Sequence, residues 1–358
     1  MRRRAIITLA LLLVAPMGLA QPVVETAATG LNHPWALAFL PDGDALVTER
    51  PGRLLRLDPA TGERRVITGT PEVDARNQGG LLDIELHPDF ADHQWVYLTW
   101  AGACERGNAT HLGRGRLSGD RLVDFETLFI ATPCVQSTKH FGSRIVFDRD
   151  GYLFMTIGDR GERDRAQDLG DHNGSILRLN DDGSIPADNP FVGRDDALPA
   201  IYSYGHRNPQ GAAIHPKTGA LWIHEHGPRG GDEINLPVAG GNFGWPKATH
   251  GREYWGPQIG PDSLPGTIAP IHHWTPSIAP SGMAFYTGDA LADWQGDLLV
   301  GALAQVHLAH LKLDGTRIVA EQRRLTDRGR RIRAIEVGPD GAVYLLTDHA
   351  NGELLRLE

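Results

Sequence analysis

The two ends of the chain carry the same short phrase. Phe39–Asp58 reads FLPDGDALVTERPGRLLRLD, and Val337–Glu358 reads VGPDGAVYLLTDHANGELLRLE. Each is a turn, a strand, a second turn and a second strand, opening on PDG and closing on LLRL. Pro, Asp and Gly supply the backbone angles of tight turns, and the short apolar runs between them have the length of strands. Similar turn-then-strand units begin at His87, Asp148, His215 and Trp294, which makes six units about 45 to 80 residues apart. Helical periodicity is nearly absent. Six hairpin units whose first and last members match predict an all-β, six-bladed β-propeller, a ring that leaves only short, protected sheet edges. Irregular spacing argues against a β-helix, and a pair of β-sandwiches gives no reason for matching ends. No linker or low-complexity segment divides the chain, so one domain is expected from Gln21 to Glu358.

Met1–Ala20 has the form of a secretory signal peptide. Arg2, Arg3 and Arg4 form a basic start, Ala5–Pro16 is an apolar stretch too short to span a bilayer, and Gly18-Leu19-Ala20 offers small residues for cleavage before Gln21. No later stretch approaches spanning length, so the expectation is a soluble protein, periplasmic or secreted, without membrane insertion. Export permits disulfides. The two cysteines, Cys104 and Cys134, sit in no CxxC motif and beside no obvious metal partners, which favours one structural disulfide tying a surface excursion between strands. A net charge of −9 argues against nucleic acid as a partner.

The chemistry concentrates in two runs. HFGSRIVFDRDGYLFMTIGD begins at His140 and ends at Asp159. In a hairpin the start of one strand lies beside the end of the next, so these two can meet at one rim. A His held by a carboxylate has a fixed tautomer and a more basic second nitrogen, as a general base needs. The second run, Ile201–Pro246, packs polar and glycine residues into loops of the kind on which sites are built. Within it Arg207 and Asn208 offer a forked donor and an amide. The pair His224 and His226 would suit zinc only with a third ligand from elsewhere. Gly227 and Pro228 can expose main-chain carbonyls suited to a hard cation, with Asp232 and Glu233 as nearby carboxylates. Further along, Arg331 and Arg333 flank Ile332 at strand spacing. Two neighbouring guanidiniums call for an anion or for carboxylates between them, and a polycarboxylate ligand would satisfy them. Gln78 and Trp274 stand at similar turn-to-strand junctions.

Taken together, QGGLLDIELHPDF, HFGSRIVFDRDGYLF, NGSILRLNDDGSIPADNPF, YGHRNPQG, EHGPRGGDEIN and TDRGRRIR resemble the soluble pyrroloquinoline quinone (PQQ)-dependent aldose and glucose dehydrogenases. The resemblance spans nearly all of the mature chain and implies a six-bladed propeller that oxidises aldose sugars at C1 to lactones. It implies His140 as general base, Asp159 as the residue orienting it, and Arg207 and Asn208 against the quinone oxygens. Arg331 and Arg333 would bind the PQQ carboxylates, with Gln78 lining the cofactor site. Carbonyls of Gly227 and Pro228 would hold a Ca²⁺ beside PQQ. Glu233 and the carbonyl of Phe243 would form a second calcium site, and Trp274 would border the substrate entrance. An electron acceptor, not identified by the sequence, would complete the cycle.

Two departures stand out. The family places a Lys on the cofactor after GAL, where this chain has Ala304, leaving Gln305 or His307 to compensate. Lys139 stands before His140, where the glucose-specialised enzymes carry Asp. The rival readings are a calcium-dependent propeller hydrolase of the lactonase kind, which leaves the arginine pair unexplained, and a non-catalytic binding propeller.

Overall fold

A computed structural model describes residues 22–358; Met1–Ala20, expected as a signal peptide, lies outside the described residues. The chain forms six four-stranded antiparallel sheets, the blades of a β-propeller. The first five are built from consecutive strands. The sixth takes its inner three strands from the C-terminal end and its outermost from the start, where Val24–Leu31 pairs with Gly352–Leu357. The ring is therefore closed by the segment just ahead of the first PDG unit.

Inner strands Pro34–Phe39, Leu81–Leu86, Ile145–Phe147, Pro209–Ile214, Pro280–Phe285 and Ile332–Val337 stand side by side around a central channel. The six units read from the sequence are the hairpins leaving these strands, so all six turns lie at one end, here called the lower. Second strands such as Ala45–Glu49, Leu221–Glu225 and Val343–Thr347 are buried at every position, because neighbouring blades cover both faces. That is why they read as continuous apolar runs instead of alternating. The core consists of layers between blades, such as the one that packs Trp222 against Phe285.

The upper ends of the inner strands are irregular. Register shifts fall between Pro34 and Ala36, Leu81 and Ile84, Pro209 and Gly211, Pro280 and Met283, and Ile332 and Ala334. A bulge re-aims the side chain it displaces. Here the displaced residues include Trp35, Leu82, Gln210 and Arg333, all of which line the upper channel cavity. Cys104 and Cys134 form a disulfide that joins the tip of a long hairpin in the second blade to the segment leading into His140. Among the described residues no helix is long and apolar enough to cross a membrane.

Candidate active site

Every candidate residue comes from a loop or strand end at the upper rim, though Trp274, paired there with Asp232, is turned into the layer between blades. His140 lies between the second and third blades, and Asp159 follows the second strand of the third. The two meet as the hairpin argument requires, with His140 Nδ1 2.6 Å from Asp159 Oδ1. A carboxylate only accepts, so Nδ1 carries the proton and Nε2 keeps its lone pair. Asp159 accepts two further hydrogen bonds, from the Gly161 amide at 2.7 Å and from Trp245 Nε1 at 2.8 Å. Burial works to raise the Asp159 pKa, but His140, the Arg207 charge and the Gly161 amide hold it below the ordinary carboxylate value. Burial lowers the His140 pKa below 6.5 and outweighs the opposing pull of Asp159. The pair is thus a neutral imidazole on a charged carboxylate at neutral pH.

The backbone around His140 is tightly specified. Its φ of 55° lies in the left-handed region, and its amide donates to Gln78 Oε1 at 2.7 Å. A non-glycine residue there is strained and needs such anchors. Gly158 packs under it so closely that an added Cβ would sit 2.2 Å from the His140 carbonyl oxygen.

Beside this pair opens a cavity of about 310 Å³ lined by Trp35, Arg50, Gln78, Asn208, Gln210, Arg331 and Arg333 among others. Arg331 and Arg333 do share a partner: both guanidiniums lie 3.1 Å from Asp348 Oδ2. Burial raises the Asp348 pKa, yet the two arginines hold it well below the ordinary range. Arg50 adds a third cation. It donates to the Asn77 carbonyl at 2.5 Å, and its buried Nε has no partner. Three guanidiniums against one carboxylate leave the chamber with a positive surplus, and its amides offer planar donors. That donor set fits an anionic, polycarboxylate cofactor such as PQQ.

Arg207 stands between this chamber and a small oxygen-lined pocket. Its Nη1 donates to the carbonyls of His226 and Gly227, both at 2.9 Å, and its guanidinium lies 5.5 Å from the Trp245 ring centre. The pocket, about 10 Å³, is lined by Arg207, Glu225, Gly227, Glu233 and Phe243 among others, room for about one water or ion. Glu225 and Glu233 face each other directly across adjacent strands. Like charges so placed repel. Burial and the Glu225 charge together push Glu233 well above its ordinary pKa. Glu225 is engaged by His206, the Arg207 amide and Asn235, whereas Glu233 has a long contact of 3.4 Å from the Asn235 side chain and the backbone amide of His250. Asn235 Oδ1 is buried without a partner. An under-satisfied carboxylate and spare oxygens fit a hard cation such as Ca²⁺.

Several expectations need correction. Trp274 does not border an entrance: it is 4% exposed in the layer between the fourth and fifth blades, donating to Glu321 at 2.9 Å. Its place in the outermost strand of its blade faces it inward. Gln305 and His307 do not stand in for the missing lysine. Gln305 is tied to the Ser277 carbonyl and Arg323, and His307 is buried against the Gln305 carbonyl. The further cation lining the cavity, besides the Asp348-bound Arg331 and Arg333, is Arg50. Nor do His224 and His226 pair for zinc. His224 is fully buried against Gly211, and His226 Nε2 is 2.6 Å from the Pro280 carbonyl. Asp232 is spent on the amides of Gly227, Ile278 and Ala279, which folds the GPRGGD loop. Sequence reasoning missed Trp245, Asp348 and Arg50. Only the NFGWP and TDHAN turns could have pointed to the first two.

A propeller whose rim joins a carboxylate-held histidine to an arginine-lined chamber has the make-up of a cofactor-dependent oxidoreductase. The family model for "Glucose / Sorbosone dehydrogenase" matches residues 31–356, and the chain belongs to that family. It is 46% identical over 341 residues to aldose sugar dehydrogenase YliI of Escherichia coli, covering 93% of this chain and 92% of the relative. A crystal structure of a glucose dehydrogenase superposes with a TM-score of 0.92 at 47% identity, covering 94% and 99% of the two chains. The PQQ-bound aldose sugar dehydrogenase of Streptomyces coelicolor gives 0.78 at 31% identity, covering 95% and 99%.

Proposed function

We propose that this protein oxidises aldose sugars at C1 to the lactone, with PQQ as cofactor, Ca²⁺ as its metal and His140 as general base. The observation that carries this reading is a chamber with surplus positive charge, walled by Phe141 and by the Gln78 that holds the His140 amide, next to a neutral histidine held on a buried aspartate. A Ca²⁺-dependent hydrolase would have use for the histidine but would leave Arg50, Arg331 and Arg333 without an occupant.

Bound PQQ supplies the acceptor for the hydride leaving sugar C1. His140 Nε2 takes the proton of the C1 hydroxyl, and the resulting imidazolium is stabilised by Asp159, which stays ionised. Trp245 and the Gly161 amide keep the carboxylate in place. Arg331 and Arg333 would grip the cofactor's carboxylates, with Arg50 as a third cation. Arg207 and Asn208 would approach the reacting quinone edge. The carbonyls of Gly227 and Pro228 would hold one Ca²⁺, which supplies polarising charge at the cofactor. The Glu233 carboxylate and the Phe243 carbonyl would hold a second, structural one. The electrons then pass to a separate acceptor. The disulfide and the signal-like Met1–Ala20 support an oxidising, extracytoplasmic setting.

The test is dye-linked sugar oxidation by purified apoprotein, with and without PQQ plus Ca²⁺. Turnover that needs both additions is expected. Turnover without PQQ, or none at saturating PQQ and Ca²⁺, would overturn the reading.

A further inference from the structure

We propose that Tyr254 and Trp255 form the platform on which the sugar ring stacks beside His140; this rests on the dehydrogenase reading above. Tyr254 is 67% and Trp255 75% exposed, the most exposed large apolar side chains among the described residues. Contiguous exposed apolar surface of this kind marks ligand or partner sites. The turn that presents them is firmly held. The Glu253 amide donates to the Pro257 carbonyl at 2.8 Å, and the Gly256 amide to the Glu253 carbonyl at 2.9 Å. Arg163 grips the Glu253 carboxylate through two nitrogens at 2.7 and 3.2 Å. Arg229 and Arg252 exchange backbone hydrogen bonds at the base.

The position of the turn ties it to the chemistry. The Tyr254 hydroxyl lies 3.5 Å from Arg207 Nη2. Arg207 packs by Trp245, and Trp245 holds Asp159, which holds His140. Tyr254 therefore stands one contact from the arginine that borders the reacting groups. A pyranose presents a face of C–H bonds ringed by hydroxyls. Aromatic rings with a polar handle suit that mixture: the ring takes the apolar face, while the phenol and indole donors meet the hydroxyls. Trp274, the aromatic expected at the entrance, is buried between blades, and Trp245 and Trp35 at the rim are buried too, whereas these two rings are exposed. The rival occupant of the surface is the electron acceptor.

The experiment compares Tyr254→Ala, Trp255→Ala and Trp255→Phe with the parent protein, each reconstituted with PQQ and Ca²⁺. PQQ affinity is followed by absorbance titration. Glucose binding to PQQ-free, Ca²⁺-loaded protein is followed by tryptophan fluorescence for the parent and the tyrosine variant and by calorimetry for all. The two alanine variants should raise the KM for glucose about tenfold, with kcat within about twofold and PQQ affinity unchanged. They should weaken glucose binding to the PQQ-free protein in parallel, and Trp255→Phe should retain most of it. Unchanged glucose KM and binding in both alanine variants would overturn the platform, as would a change confined to the KM of the acceptor. If the parent oxidises no aldose, the dehydrogenase reading falls by itself. Glucose binding then decides the platform alone: loss in the alanine variants upholds it, and no binding by the parent ends it.

Discussion

The two halves of the central channel are lined by ionisable groups of opposite kind. The upper chamber, about 310 Å³, sets Arg50, Arg331 and Arg333 against Asp348. The lower, about 280 Å³, sets Asp83, Glu85 and Glu336 against Arg144. Between them Arg144 stacks 4.2 Å over Trp35, bonded to Asp83 at 2.6 Å and to the Gln210 carbonyl at 3.2 Å. The difference lies in how each half can meet the cost of burial. A carboxylate can take up a proton. Burial, reinforced by the Glu336 and Asp83 charges, pushes Glu85 well above its ordinary pKa, and burial raises Glu336 to about 8. A guanidinium has no such exit at any ordinary pH. The lower chamber can relax by protonation and needs no occupant, whereas the upper one keeps its charge and is completed by an anion.

The comparison breaks most sharply at His140. His140→Ala should lower kcat about 10²- to 10⁴-fold, the usual worth of a general base. PQQ affinity by absorbance titration should stay close to the parent value, because the cavity cations are intact. A kcat within a few fold of the parent would show that the upper rim does not use this histidine as its base. Gly158→Ala should reproduce much of the loss without touching the imidazole, since the new Cβ must displace the His140 backbone.

Next in size is the charge of the upper chamber itself. Arg333→Met removes one charge-assisted contact, worth about 1.5–3 kcal/mol, or roughly ten- to a hundredfold in PQQ affinity. Arg50→Met should weaken binding in the same direction if it replaces the absent lysine at Ala304. Equal affinity in parent and Arg333→Met would mean that the surplus charge serves something other than the cofactor.

The acid limb of kcat/KM sharpens the same contrast. Because burial lowers the His140 pKa, the base form persists below pH 6.5, and activity should fall only as pH drops through that lowered value. Asp159 works to raise that pKa, so Asp159→Asn should move the limb to still lower pH while reducing kcat. A limb above pH 6.5 in the parent would contradict the buried, neutral imidazole.

How much of this was readable from residues alone follows from the range of the interactions. The PDG turns are local, and each marks the lower end of a blade. The His140–Asp159 contact is also local, a consequence of one hairpin. Arg331 and Arg333 were legible as a pair in want of an anion, but not the bulge that displaces Arg333 or the Asp348 that receives both. A bulge depends on how a strand pairs with its neighbour, and Asp348 belongs to a different turn. Trp245 reaches Asp159 across 86 positions and Arg50 enters from the first blade, so neither is visible in any window. Trp274 was misplaced because a turn-to-strand junction looks alike on the inner and outermost strands of a blade.

The smallest expected effect belongs to the lower chamber, and it tests the premise that carboxylates there relax by protonation. In the unfolded chain Glu336 ionises near pH 4.5, whereas in the folded protein it holds its proton to about pH 8. Raising the pH through this window therefore favours the unfolded state, and the penalty is full above pH 8. Glu336→Gln cannot ionise and escapes it. The variant should match the parent below pH 4 and gain on it steadily to pH 8, reaching about 1–2 kcal/mol once water in the open chamber is allowed for. That gain is readable as a higher Tm in pH-dependent thermal melts, with PQQ affinity and kcat unmoved. A stability difference independent of pH would mean that Glu336 stays ionised, with Arg144 as its counter-ion. The contrast between the halves would then rest on ion pairing alone, and the upper chamber's need for an anion would have to be shown by titration of PQQ itself.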